Sequence, residues 1–406
     1  MGKSDGMTKP EPDMRAKSIA ETEFRPYTRK DVNRSSAKEL FSVVSTFAGG
    51  GGSSTGYRLA GGGIKFVNEF VDEAVKSYRA NYPNTPIDSS DIRSITKSAA
   101  KVQALCAKYG VKKGQLDILD GSPPCKDFSQ AKGAVSVQSL TNELVSYSDT
   151  KQRRIGMLIH DFVFFAKALQ PKVCVIENVP GIQRSTVFHD AITRLRDDEV
   201  KPYGYLVSWK VLVASDYGVP QNRKRLFAIA VRKDVGAQLG MKVDEDVASL
   251  FPVPTTAPIT LKSALKGLKI DEEELEQLLA DTLINSNYQI VLKLKKNPDK
   301  PLKPSDLKPP LKSHFNLVRN CWHRPAVTIT QTGEMRGRSG PIHPDEDRKF
   351  TIAELKRIMS LPDDFVLTGT NNQQRERVGR MVPPLLTKAV ADAIYEKVLK
   401  PLHRKG

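Results

Sequence analysis

The sequence predicts an α/β fold: a doubly wound, mainly parallel sheet accompanied by a second, smaller domain. Three observations carry that expectation. Segments rich in β-branched and aromatic residues alternate with helical ones over residues 41–231, and the connections are short. A run of four glycines follows the first strand directly. Further polar segments follow later strand ends, the edge at which such sheets hold ligands.

Residues 1–39 are polar, of mixed charge and weak periodicity, and predict a flexible tail with a short helix near its end. Phe41 to Phe47 (FSVVSTF) is the first strand, stopped by Ala48-Gly49-Gly50-Gly51-Gly52. Ile64 to Glu69 is the second strand, followed by a helix over 71–81. Leu116 to Leu119 is a short buried strand ending at Asp120-Gly121. Residues 156–169 predict a helix with Ile159, Phe162, Val163 and Ala166 on one face. Val173 to Glu177, Leu206 to Ala214 and Leu226 to Val231 are the later strands. Beyond residue 232 the pattern weakens. An acidic, Leu-spaced helix covers 271–281, and 293–312 carries seven lysines among prolines, a poor core former. Helices return at 351–359 and 385–399.

No apolar run approaches the roughly 20 residues that cross a bilayer, and no apolar stretch follows the N-terminal charges as in a secretory signal. The expectation is a cytoplasmic protein without a membrane partner. Cysteines stand at 106, 125, 174 and 321, too far apart for a metal knuckle or redox pair, so no metal is expected. The net charge of +17 favours a polyanionic partner, nucleic acid first.

Four constellations carry chemistry. The first is Phe47 to Gly56, a glycine-rich loop at a strand end, with Glu69 ending the next strand. Glycines admit close backbone approach, and a strand-end carboxylate can accept from a ribose diol, so a nucleoside cofactor is expected. No GxxxxGK[ST] pattern supports an ATP loop. The second is Asp120-Gly121-Ser122-Pro123-Pro124-Cys125-Lys126-Asp127-Phe128-Ser129, a stiff loop that presents a thiol. The third is Val175 to Val179, a strand terminating in Glu177 and Asn178. The fourth is Tyr217 to Phe227, in which Arg223 and Arg225 alternate on an entering strand and so share a face. Each alone has a plain alternative: a turn, a buried cysteine, a helix cap, a solvated basic strand. Together, in order at successive strand ends, they are far more specific.

These residues resemble the DNA cytosine-5 methyltransferase family. Its segments FAGxGG, PPCQxFS, ENV, QxRxR and GNxVPP correspond to Phe47–Gly52, Pro123–Ser129, Glu177–Val179, Gln221–Arg225 and Gly379–Pro384. Arg348 to Phe365 resembles a further late segment of the family. The likeness spans residues 41–231 and 342–398. Lys126 stands where the family usually has Gln, and Arg380 where it usually has Asn.

The resemblance implies a Rossmann-like class I methyltransferase fold, S-adenosylmethionine as methyl donor, and double-stranded DNA as partner. It implies Cys125 as nucleophile, Glu177 as the group at N3 and the exocyclic amine of cytosine, and Arg225 at O2, with Arg223 assisting. Phe47, Ala48, Gly49, Gly51, Glu69, Asp91, Ile92 and Pro123 are the implied cofactor residues, with Asp91-Ile92 at a strand end. Ser129, Gln221, Arg336 and Arg338 are the expected DNA contacts, with the lysine run, Arg319 and Arg324 towards phosphate. Residues 126–152 are expected to form a closing loop. The expected divisions are a catalytic domain at 40–232, a small target-recognition domain at 233–347, and a segment at 348–406 returning to the first. A monomer is expected. An RNA (tRNA) cytosine-5 methyltransferase and a non-catalytic DNA-binding protein on the same fold remain the alternatives.

Overall fold

The computed structural model describes residues 23–124, 144–146, 151–153, 155–198, 204–254, 257–284, 289–307, 309–310, 317–331 and 340–405. Seven strands form one sheet: β1 (Phe41–Thr46), β2 (Gly62–Asn68), β3 (Ile87–Asp88), β4 (Ile118–Gly121), β5 (Val173–Asn178), β6 (Tyr205–Val213) and β7 (Lys224–Arg232). Their order is β3-β2-β1-β4-β5-β7-β6, parallel except for β7, which runs antiparallel to both its neighbours. The order reverses at β1 and β4, whose carboxyl ends therefore flank a crevice.

Alternation along the strands divides the core. Val44, Leu119, Cys174, Ile176, Leu226 and Ala228 face one layer of helices. That layer contains α5 (Ala99–Lys108), α6 (Leu158–Leu169) and α7 (Thr186–Arg196). Val43, Ile118, Val173, Val175, Phe227 and Ile229 face the other side. There they meet Leu386, Val390 and Ile394 of α10 (Pro384–Ile394), so the C-terminal segment completes the sandwich. Both faces are covered, which explains why the central strands are apolar at successive positions.

Helix α2 (Gly52–Leu59) lies so close to α10 that a Cβ at Gly56 would stand 2.5 Å from Pro384 O. Residues 24–36 are not a free tail. Phe24 and Val32 are buried, and α1 (Arg29–Ser36) begins at a Thr28–Asp31 capping box. Tyr27 O–H donates to Ser360 O, which ties this segment to the C-terminal part. Two apolar residues and one tyrosine outweigh the polar average of the stretch.

Beyond β7, Val247, Leu250 and Phe251 join the sheet's own core. Leu261, Ala326 and Ile329 pack with Phe350, Leu355 and Val378. A small separate cluster unites Val291, Leu317 and Ile342. The acidic helix covers Glu272–Ile284. Helices α8 (Ile352–Ile358) and α9 (Asn371–Arg380) precede α10. Helix α9 (NNQQRERVGR) has no apolar stripe to announce it.

Candidate active site

The glycine-rich loop after β1 bends sharply. Phe47 has φ 55°, Gly49 φ 57° and Gly51 φ 101°, all in the left-handed region that glycine tolerates best. The intervening glycines serve close packing: a Cβ at Gly50 would meet Met381 Cε at 2.3 Å, and one at Gly52 would meet Val382 O at 2.5 Å. The C-terminal Met381-Val382 pair therefore rests directly on this loop.

Glu69 lies between β2 and helix α3 (Asp72–Asn81) and is buried. Its Oε2 accepts from Gly49 N–H at 2.7 Å and its Oε1 from Val71 N–H at 2.7 Å. Burial raises its pKa, against the opposing pull of those N–H groups and of Arg377. Each oxygen has further acceptor capacity, as a ribose diol requires. Phe47 packs on buried Ile92 and Leu158, giving an apolar wall beside the loop. Loop, wall and acid fit a nucleoside. Asp91 departs from expectation: β3 ends at Asp88, and Asp91 is the N-cap of the short helix α4 (Ile92–Ile95), where it is bound by Arg93. Its side chain is engaged in capping and pairing rather than placed at a strand end.

One residue of the sequence's second constellation has a setting that its spacing does not reveal. Asp120 at the end of β4 accepts from Ser45 Oγ at 2.6 Å, Ser53 Oγ at 2.9 Å and Tyr57 O–H at 3.1 Å. It thereby joins β1, α2 and β4 beneath the loop. Burial pushes its pKa up to about 6, with Glu177 adding to the rise and the three hydroxyls opposing it. The folded protein thus holds this proton more tightly than the unfolded chain. Stability from this site is present at low pH and is lost as pH rises from about 4 to about 6. Asp120→Asn should flatten that part of the stability curve by on the order of 2–3 kcal/mol. Urea unfolding across this pH range would read it, and an unaltered slope would place the titration elsewhere.

Pro123 and Pro124 continue from β4 towards Cys125, which lies outside the described residues, as do Ser129, Arg336 and Arg338. Asn178, at the end of β5, donates from Nδ2 to Pro123 O at 3.1 Å, and its Oδ1 accepts from Val179 N–H at 2.8 Å. The amide of the Glu-Asn-Val segment therefore anchors the loop that leads to the thiol. Its neighbour Glu177 is buried and pairs with Arg225 of β7, Nε to Oε1 at 3.0 Å. Of the expected 126–152 loop, a short antiparallel pairing of Leu144–Ser146 with Lys151–Arg153 is described. Cys106, Cys174 and Cys321 are buried, and burial pushes the Cys106 thiol up to about 12 and raises the other two. These three are packing residues.

Arg223 and Gln221 are placed differently from expectation. Arg223 is wholly buried; its Nη1 donates to Ile329 O at 2.7 Å, and its Nη2 to Gly379 O at 2.8 Å and Met381 O at 3.2 Å. Burial and the neighbouring Arg225 depress its pKa, partly offset by Glu177. Gln221 is also fully buried, donating to Ile358 O at 3.3 Å and accepting from Ile329 N–H at 3.1 Å. Both tie three chain segments together: Gln221 is not placed to contact DNA, and Arg223 supports the site from behind rather than reaching a base. Arg319 likewise is buried against His343 O, Glu346 O, Val291 O and the Asp347 carboxylate, not turned towards phosphate. Arg324 is exposed.

Among the described residues no group of three or more His, Cys, Asp or Glu could hold a metal ion, and no helix is long and apolar enough to cross a membrane.

A family model described as C-5 cytosine-specific DNA methylase matches residues 41–396. The type II methyltransferase M1.HphI of Haemophilus parahaemolyticus is 29% identical over 359 residues, covering 87% of this chain and 86% of that protein. A putative type II methyltransferase of Methanocaldococcus jannaschii is 28% identical, covering 88% of this chain and 99% of its own length. Among solved structures, a putative DNA modification methyltransferase encoded within an E. coli prophage aligns with a TM-score of 0.61 at 20% identity, over 89% of this chain and 99% of that one. DNMT2 of Spodoptera frugiperda aligns with a TM-score of 0.58 at 16% identity, over 88% of this chain and 99% of that one. At these identities the structural likenesses concern the fold.

Proposed function

This chain belongs to the C-5 cytosine-specific DNA methylase family, and from that premise we propose that it transfers a methyl group from S-adenosylmethionine to C5 of a flipped-out cytosine in a specific duplex DNA sequence, through a covalent bond between Cys125 and C6. The observation that carries this reading is the arrangement at adjacent strand ends. The Glu177–Arg225 pair stands at the ends of β5 and β7, and Asn178 holds the Pro-Pro segment leading to Cys125. An apolar wall and a buried acid stand beside β1 and β2.

Cytosine C5 is a weak nucleophile. The Cys125 thiolate adds to C6, and the electron pair of the C5–C6 bond then becomes available at C5. S-adenosylmethionine, when bound, would supply a methyl group on a positively charged sulfur, with the S–CH3 bond breaking as the C5–CH3 bond forms and S-adenosylhomocysteine leaving as the neutral thioether. Loss of the C5 proton to water and expulsion of the Cys125 thiolate restore the aromatic ring, so covalent catalysis divides one hard step into easier ones. As C6 is attacked, negative charge moves towards N3 and O2. Glu177 stands at N3, and one of its oxygens accepts from the exocyclic amine, which thymine lacks. Arg225 fixes Glu177 and supports the charge developing at O2. Reaching C6 from a pocket requires the base to leave the stack, at about a few kcal/mol.

The sheet ends at Arg232 and helix α10 returns to it. That supports residues 40–232 and 348–406 as the catalytic part and 233–347 as the target-recognition part. The high positive charge of the chain supports a DNA partner. The type II names of the relatives support a sequence-specific target of the kind found in restriction-modification.

Bisulfite sequencing of plasmid DNA from a methylation-free host expressing this chain tests the reading. Protected cytosines in one recurring context are the expected result and would read out the target. None, from abundant folded protein, would point to RNA or to a non-catalytic binder. Glu69→Ala should weaken S-adenosylhomocysteine binding about tenfold or more in calorimetry. An unchanged affinity would count against the ribose role.

A further inference from the structure

Helix α9 ends close to the glycine-rich loop, and the charges of its Arg377 and Arg380 are met differently. Arg380 Nη2 lies 2.7 Å from Glu376 Oε1 on the same helix. Arg377 is only 4% exposed, yet its Nη2 has no hydrogen-bond partner among the described residues. Its stem lies against the loop: a Cβ at Gly50 would stand 3.1 Å from Arg377 Cγ and 3.5 Å from its Cδ. Its charge acts through space on Glu69, whose oxygens accept instead from the N–H groups of Gly49 and Val71.

A guanidinium keeps its charge in proteins, and an enclosed guanidinium nitrogen that meets no acceptor is unfavourable. Such a group beside the glycine-rich loop is accounted for when a ligand brings an anionic acceptor for that nitrogen. A nucleoside linked through sulfur to an amino acid carries one carboxylate, at the end away from the base. We propose that Arg377 binds the α-carboxylate at the amino-acid end of S-adenosylmethionine, while Glu69 holds the ribose of the same molecule. The inference rests on the S-adenosylmethionine reading above and adds to it a residue that recognises the amino-acid tail. The glycine at 50 is then needed twice: it makes room for Met381, and it lets the Arg377 stem reach along the loop.

Calorimetry on the full chain tests this with two ligands. S-adenosylhomocysteine carries the carboxylate. 5′-Methylthioadenosine has the same nucleoside and sulfur without the amino acid. Arg377→Gln should lower affinity for S-adenosylhomocysteine by roughly 10- to 100-fold and leave 5′-methylthioadenosine unchanged. Arg377→Lys, which keeps a cation, should retain part of the preference. Equal losses for both ligands would overturn the proposal, because Arg377 would then act through Glu69 or through the fold. No loss for either would also overturn it. A native chain that binds neither ligand would sink the S-adenosylmethionine reading itself, and this inference with it.

Discussion

Replacing Cys125 with alanine is expected to lower methyl transfer by on the order of 10⁴-fold or more, while DNA and S-adenosylhomocysteine still bind. The size follows from the chemistry. Without addition at C6, C5 has little power to attack a methyl group, and positioning alone cannot supply that electronic change. Binding should survive because the loop's anchor lies elsewhere: Asn178 holds Pro123 O at 3.1 Å whatever follows at position 125. Transfer of tritiated methyl groups to DNA, measured beside a DNA-binding assay on the same preparation, separates the two quantities. Turnover within tenfold of the native rate would remove Cys125 from the mechanism. Loss of DNA binding in step with activity would instead show that the substitution damages the fold.

Much of this fold is legible in the sequence because the strands carry their signal locally. Phe41 to Thr46 and Val173 to Asn178 place apolar or β-branched residues on both faces, as buried parallel strands do, and both lie where the pattern puts them. Glu69, Glu177 and Pro123 lie at or just past strand ends, where the sequence pattern places them. Legibility fails where a side chain's neighbours come from distant segments. Arg223 and Arg225 look equivalent at alternate positions, but β7 begins at Lys224. The preceding Gln221-Asn222 pairs with Ala326-Val327 instead. Arg223 is therefore enclosed by residues 329, 379 and 381, whereas Arg225 meets Glu177. Helix α9 is hidden for the same reason: its buried residues include Arg375 and Arg377, which periodicity counts as solvent-facing. Asp120 belongs here too, since Ser45, Ser53 and Tyr57 converge on it only once β1, α2 and β4 are assembled.

Arg223→Ala should destabilise the protein by on the order of 3 kcal/mol or more, the largest expected effect on folding outside the apolar core. Two opposing terms decide the sign. Burying a guanidinium is costly, and an apolar replacement can relieve that cost when the buried charge serves no partner. Here it serves three carbonyls, of Ile329, Gly379 and Met381, drawn from the middle segment and from the two sides of the α9–α10 junction. Removing the donor strips all three at once, and alanine also leaves a void. Arg223→Met separates these contributions, since it keeps most of the volume and none of the donors. If the hydrogen bonds dominate, both variants unfold at similarly reduced urea concentrations. If the void dominates, methionine restores most of the loss. Because Met381 also rests on Gly50 and Gly52, either substitution that frees this junction should weaken S-adenosylhomocysteine binding as well, although Arg223 lies buried behind the loop. A variant as stable as the native chain would show that the desolvation cost of this arginine cancels its bonds, and that the C-terminal segment is held to the loop by apolar packing alone.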